Sequence, residues 1–340
     1  MPSLASRRAG ALFRAAMLAL STLLLCATAP AASTRFVTLG AGATAGLYYP
    51  TAETMAKLVN DAKLGVRVGV RATGGSVFNA QGLEDGALQL AILQNNVAYF
   101  AYRGQGIAAF ANKPARHLRG LATLYPEVLH IVARKGTGIG SPADLKGRVV
   151  YVGDIGSGAE QDAIAVLGAY GLTLADLKTA VRGSAGNAVN LLRDGKIDAL
   201  MFTVGIGSAA IAEAAQTTSI EFVPIAPAKI AELRARYPYY SGTAIGAGAY
   251  PGVDTATPAI AVQAMLAASD RLPAREVDRL MHTLFDTRLK AFLDQVPNPN
   301  LKASFKLEHA VEAMPIPLHE GAVAFYRSVG VAVPASLLAH

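Results

Sequence analysis

The chain has 340 residues, 31 Lys and Arg against 24 Asp and Glu, no Trp and a single Cys. That length suits two lobes of ~100–200 residues each, and one cysteine excludes a disulfide and any thiolate metal cluster. The basic excess is too small and too dispersed along the chain to indicate nucleic acid.

The first elements are those of a secretory signal. Arg7, Arg8 and Arg14 form a positive start, Ala15 to Leu25 an apolar core, and Ala27 to Ser33 a small-residue zone, so cleavage is expected near residues 29–33. The apolar core is well short of the ~20 residues of a spanning helix. Cys26 closes the run, but Leu25 stands where a lipid-modifying peptidase normally takes a small residue, which argues against a lipoprotein. Removing the signal leaves 340 − 33 = 307 residues, no cysteine nucleophile, and 31 − 3 = 28 basic against 24 acidic side chains, a net charge of about +4. Such a surface favours anionic ligands slightly, and the expected compartment is the periplasm.

Phe36 to Leu39 is short and β-rich and runs into Gly40, Gly42 and Gly46. After Pro50, Ala52, Met55, Ala56 and Val59 fall on one face at helical spacing. The pattern repeats: Val66 to Val70, then the Thr73–Ser76 loop, then another amphipathic stretch. A strand entering a glycine-rich turn and a helix leaves free backbone N–H groups that suit a carboxylate or phosphate. Leu121 to Lys135 reads as strand broken at Pro126, and Val149 to Val152 as a buried strand opening through Gly153–Gly158 into a helix over Ala159 to Tyr170. Thr257 to Ala267, after the Tyr250-Pro251-Gly252 loop, reads as a returning strand, and Arg275 to Leu293 and His319 to Val329 as helices.

An internal echo supports two similar halves. Leu83-Glu84-Asp85-Gly86 leading into Ala87 to Ile92 reappears 109 positions later as Leu192-Arg193-Asp194-Gly195 leading into Lys196 to Met201 (192 − 83 = 109). Each copy predicts a helix ending at an Asp-Gly turn, followed by a buried strand, and each is preceded by a Gly/Ser turn, Thr73–Ser76 and Gly183–Gly186. Alternating strands and helices predict doubly wound α/β lobes with ligand at the carboxyl ends of the strands. Two facing lobes would make a hinged clamp, with Thr44, Gly46 and Ser76 from one side and Ser157, Gly158 and Gly205 from the other.

A receptor site for a small polar anion needs a few converging donors and aromatic walls. Thr44, Ser76 and Ser157 offer hydroxyls, Asn79, Gln94 and Asn95 offer amides, and Ala45, Gly46, Gly75, Gly158 and Gly205 offer close backbone approach. Tyr48, Tyr49 and Tyr99 are the candidate walls, although two adjacent tyrosines cannot face the same way. Thr44 and Ser76 would serve equally as helix caps. Arg71 and Arg182 are the candidate charge partners. Other chemistries fit less well. Gly40-x-Gly42-x-x-Ala45 matches a dinucleotide fingerprint, but the following strand ends in Arg71 where an acid is needed. Gly156-Ser157-Gly158 lacks the spacing of a hydrolase elbow, and the histidines are scattered, so neither a catalytic triad nor a metal site is expected. Enzymes of the porphobilinogen-deaminase type share a two-lobed fold but hold their cofactor on a cysteine.

Seven stretches resemble, in order, the TAXI-type extracytoplasmic solute receptors that serve TRAP transporters: GAGATAGLYYP (40–50), ATGGSVFN (72–79), LQNNVAYFAYRG (93–104), GDIGSGAE (153–160), LLRDGKIDALMFTVG (191–205), YYSGTAIGAGAYPG (239–252) and HEGAVAFYRSVGV (319–331). The resemblance implies a type II periplasmic-binding-protein fold, two doubly wound α/β lobes joined by a two-strand hinge. It divides the chain into residues 34–124 and 259–340 for one lobe and 125–258 for the other. It further implies no enzymatic activity, no cofactor, a monomer, and capture of a small anionic solute, such as an acidic amino acid, a dicarboxylate or an oxo acid, for delivery to a TRAP-type permease. A membrane sensor kinase is the alternative partner. Two positions depart from the family: Ala45 replaces a glycine, its methyl narrowing the approach to the loop, and Asn96 replaces an aspartate, exchanging a charge for an amide.

Overall fold

A computed structural model describes residues 34–44, 46–237 and 239–339; the expected signal lies outside them. The chain opens with three strand–helix units: β1 (Arg35–Gly40) with α1 (Tyr48–Asp61), β2 (Val66–Arg71) with α2 (Ser76–Asp85), and β3 (Leu90–Gln94) with α3 (Asn95–Arg103). The long β4 (Leu118–Arg134) leads to a second alternation: β5 (Val149–Tyr151), α4 (Gly158–Ala169), β6 (Thr179–Val181), α5 (Ala185–Arg193), β7 (Ala199–Val204) and α6 (Ala209–Thr217). β8 (Ile220–Phe222), α7 (Pro227–Arg236) and β9 (Ser241–Ile245) precede β10 (Thr257–Ser269). Helices α8 (Ala274–His282), α9 (Leu289–Gln295), α10 (Pro299–Ser304) and α11 (Glu320–Ser328) follow, with a π-helical turn at Thr283–Thr287 interrupting the helix expected over 275–293.

The strands lie in the order β2-β1-β3-β10-β4-β7-β5-β6, with β8 on β4 and β9 on β10. β1 and β3 pair in parallel, as do β7, β5 and β6, while β4 and β10 run antiparallel to their neighbours. β10 serves both halves, pairing with β9 through Thr257–Ala261 and with β3 through Ala264–Ala268. β4 accompanies it and pairs with β7 through Val128–Ala133.

Side-chain burial divides along the same two strands. Leu118, Leu121 and Leu124 of β4, with Ala264 to Ala268 of β10, belong to a core containing Leu39, Ile92 and Phe325. Beyond the crossover, alternate residues turn to opposite faces, as strand geometry requires. Leu129 and Ile131 pack with Val150, Leu167 and Val223, while Val128 and Val132 pack with Leu192, Leu200 and Ile211. The molecule is thus two lobes, one of them covered by helices on both sheet faces, strung on β4 and β10.

Pro126 does not break β4. It sits opposite Gln263 beside a register shift of the ladder, where the regular bonding is already interrupted: the Gln263 N–H also leaves the ladder and donates to Asn95 Oδ1 at 3.1 Å. The echoed units fold alike: α2 ends at Asp85 and Gly86 takes φ +81°, and α5 is followed by Asp194 and Gly195 at φ +70°, with β3 and β7 next. Only glycine holds that left-handed cap without strain.

Candidate functional site

Two helix starts face each other across the gap between the lobes. At α2, Gly75 is the cap residue with φ +100°, and Ser76 Oγ accepts the Gln94 N–H at 3.1 Å, tying the end of β3 to the start of the helix. At α4, Ser157 Oγ accepts the Glu160 N–H at 3.1 Å, and the Glu160 carboxylate takes the Gly156 N–H at 3.1 Å and Arg182 Nε at 2.6 Å. The lobes touch directly, since the Val77 N–H donates to the Gly156 carbonyl at 3.0 Å and Asn300 Nδ2 donates to the Ile206 carbonyl. A Cβ on Gly158 would overlap the Gln94 side-chain amide, so only glycine allows this approach.

Between these contacts lies a cavity of about 80 Å³. Gly46, Tyr48, Gly75, Ser76 and Gln94 line it from one side, Glu127 from the hinge strand β4, and Asp154, Ser157, Gly158, Phe202 and Thr203 from the other. Glu127 is 3% exposed, and the Tyr48 hydroxyl donates to its Oε2 at 2.6 Å. Burial pushes the carboxyl up to about 8; Tyr48 and Gln94 oppose the shift and the nearby Asp162 adds to it. Asp162, 1% exposed, accepts at Oδ1 from Asn96 Nδ2 at 2.8 Å and from the Tyr240 hydroxyl at 2.7 Å. Burial raises it to about 7 against the polar groups of Tyr240, Thr203 and Asn96. Asp154 is also raised by burial. Among the described residues no Lys or Arg lines the cavity.

Seven of the residues singled out from the sequence meet there: Gly46, Tyr48, Gly75, Ser76, Gln94, Ser157 and Gly158. Ala45 lies outside the described residues. Thr44 is exposed in the turn before α1, and Tyr49 packs on the first core while its neighbour Tyr48 faces the cavity. Asn79, expected in a first turn open to solvent, is wholly buried: its amide donates to the carbonyls of Ala41 and Ile92 and accepts from the Thr73 hydroxyl. Asn95 is likewise consumed, by Gln263 N and the Ala313 carbonyl. Tyr99 lies in an aromatic cluster, its ring 5.5 Å from those of Phe100 and Tyr239. Gly205 gives room to Leu47 and Asn300 beside the cavity. Neither arginine lines the cavity: Arg71 is exposed, over the Phe78 ring at 5.5 Å, and Arg182 is held by Glu160. Glu127 was not anticipated. Its signal was the single acid of β4, beside Pro126.

Among the described residues no group of three His, Cys, Asp or Glu could hold a metal ion, and no helix is long and apolar enough to cross a membrane.

An α/β clamp of two lobes on a shared strand pair, with a polar cavity between them, is the architecture of the periplasmic binding proteins, and one solved structure agrees in fold. PhnD1 from Prochlorococcus marinus, in complex with methylphosphonate, superposes with a TM-score of 0.53 at 12% identity, over 88% of this chain and 100% of that one. The periplasmic aliphatic sulphonate binding protein SsuA from Escherichia coli gives 0.43 at 13% identity, over 90% and 96%. A histidine kinase sensor domain with similarity to periplasmic binding proteins gives 0.47 at 15% identity, over 77% and 96%. Residues 39–330 match the NMT1-like family, and the chain belongs to it.

Proposed function

We propose that this protein is a periplasmic receptor of the TAXI type, which captures a small solute bearing an acid group and delivers it to a TRAP-type permease. The observation that carries the reading is the cavity between the starts of α2 and α4, lined from both sides by residues of those helix starts, Gly75 and Ser76 against Ser157 and Gly158, the ends of helices that favour an anion. The seven stretches of family resemblance supply the transporter type. The lobes we propose are residues 34–124 with 259–340 and residues 125–258; the apolar core changes a few residues further along, between Tyr125 and Val128 on β4 and between Val262 and Ala264 on β10.

In this reading the open clamp admits the solute to the α2 side, and closure brings Ser157 and Gly158 over it. Solute affinity for the closed form shifts the equilibrium, and the closed surface is what the permease reads. β4 and β10 absorb the rotation. The protein binds without chemistry and acts as a monomer.

A thermal-shift screen against amino acids, dicarboxylates, oxo acids, sulfonates, sugars and nucleotides tests this. A ligand that binds only the folded state raises its stability by about 2.7 kcal/mol at a hundred times its Kd. A shift with one class of small acid is expected; a shift only with dinucleotides would overturn the receptor reading.

A further inference from the structure

Three exposed arginines lie over tyrosine rings where the two lobes meet. The guanidinium of Arg103, the last residue of α3, stands 4.6 Å from the Tyr99 ring centre, and that of Arg116 stands 5.3 Å from the ring centre of Tyr102, one turn further along the same helix. That of Arg236, the last residue of α7, stands 5.2 Å from the ring centre of Tyr237. The rings beneath join one lobe to the other. Tyr99 and Phe100 of α3 each lie 5.5 Å from Tyr239, Phe100 lies 6.3 Å from Tyr237, and Tyr237 stacks on Tyr239 at 5.6 Å. Other arginines are satisfied within the fold: Arg119, Arg134 and Arg182 by carboxylates, Arg148 and Arg271 by carbonyls. Among the described residues the guanidiniums of Arg103, Arg116 and Arg236 have no ion pair and no hydrogen bond. The dipole at a helix end favours a cation there, which suits Arg103 and Arg236 but satisfies none of their N–H groups.

A ring under a guanidinium restrains its long side chain and leaves the edge N–H groups for a planar acceptor, which a carboxylate meets two-pronged. Part of the ordering that docking costs is then already met, and Tyr and Arg are the side chains that most often carry protein interfaces. A lipid surface fits less well. The rings are half-buried or buried against one another, and none of the exposed large apolar side chains, Phe36, Phe78, Ile155 and Ile164, is among them, so this face has nothing to insert between acyl chains. We propose that it docks an acidic segment of a partner protein, whose carboxylates take Arg103, Arg116 and Arg236 together. The ring-to-ring contacts keep these arginines within reach of about eight extended residues, at ~3.4 Å each. Arg103 and Arg116 stand on one lobe and Arg236 on the other, so a segment bound to all three also ties the lobes together. The inference does not depend on what the cavity takes.

Fluorescence anisotropy of a fluorescein-labelled peptide of alternating Glu and Gly, and of its counterpart with Gln for Glu, titrated with the protein at low salt, tests this. The Glu peptide is expected to bind and the Gln peptide not to. Arg103→Gln and Arg236→Gln should each weaken binding about five-fold and together about 25-fold, with the unfolding midpoint unchanged. Arg103→Lys keeps the charge and loses the fork, and should still weaken binding about three-fold. Arg67→Gln and Arg327→Gln, at exposed arginines outside this cluster, should change it less than about two-fold. Equal weakening by all four Gln variants would mean that the peptide senses only diffuse charge, and would overturn the inference. So would a Glu peptide that does not bind. Vesicles of phosphatidylglycerol that bind the parent and not the Arg103→Gln, Arg236→Gln double variant, with the peptide inert, would overturn it in favour of a membrane surface.

Discussion

Replacing Glu127 by Gln tests the electrostatics of the hinge. The carboxyl rises from 4.5 in an unstructured chain to about 8 in the fold, so between those values the folded state holds a proton that the unfolded state has lost. Stability from this group is fully present below pH 4.5 and is lost as pH rises through 8, by about 1.4 kcal/mol per pH unit. Over 3.5 units (8 − 4.5) the ceiling is about 5 kcal/mol. Glutamine keeps the shape, and its Oε1 accepts the Tyr48 hydroxyl as the acid does, but it cannot ionise. Asp162, pushed to about 7, titrates in both proteins, so only its repulsion with Glu127 enters the difference between them. Urea unfolding at pH 5, 6, 7, 8 and 9 should show the two proteins within about 1 kcal/mol of each other at pH 5 and Glu127→Gln more stable by several kcal/mol at pH 9. A variant less stable than the parent at pH 9, or a difference that does not vary with pH, would mean that a cation compensates the carboxylate, and the reasoning fails.

Gly158→Ala places a methyl against the Gln94 amide only when the lobes are closed. At ~1–3 kcal/mol for overpacking, solute binding should weaken about 5- to 150-fold in titration calorimetry, with the unfolding midpoint of the unliganded protein nearly unchanged if closure is reversible. Asn79→Ala strips hydrogen bonds from two buried carbonyls and from Thr73. It should cost about 2–4 kcal/mol in urea unfolding and leave the ranking of solutes alone, whereas a changed ranking would return Asn79 to the site. Ser157→Ala removes the cap of α4. A loss of about 1 kcal/mol is expected, and no loss would mean that water caps the helix equally well.

The alternation of strands and glycine-opened helices was legible because the apolar periods and the turn residues agree locally. The two Asp-Gly units folded as read, since a left-handed cap is dictated by the glycine itself. Pro126 misled, because the loss of a strand hydrogen bond looks decisive until the ladder is seen to be irregular there, with a register shift one residue on and the Gln263 N–H turned to Asn95. The site was legible at its loops and much less so at its side chains. Asn79 and Asn95 have the chemistry of ligand contacts, but a sequence does not say which backbone carbonyls will be stranded nearby and claim them. Arg71 and Arg182 were claimed in the same way, by Phe78 and Glu160. Glu127 was hidden for the opposite reason. Its burial depends on Tyr48, 79 positions away, and on the pairing of β4 with β10, neither of which leaves a local mark.

Glu127 sits where β4 passes from one core to the other, opposite Val262 on the partner strand. If the lobes swing about that strand pair, an atom there travels hardly at all, whereas Gly158, at the start of α4 and off the hinge, moves with its lobe. A solute can therefore settle on Glu127 while the jaws are apart and keep that contact unbroken as they meet. Capture is then governed by access to a stationary anchor, and release by how often the far jaw lets go, so substitutions at the pivot should register mainly in the association rate and those at Gly158 in the residence time.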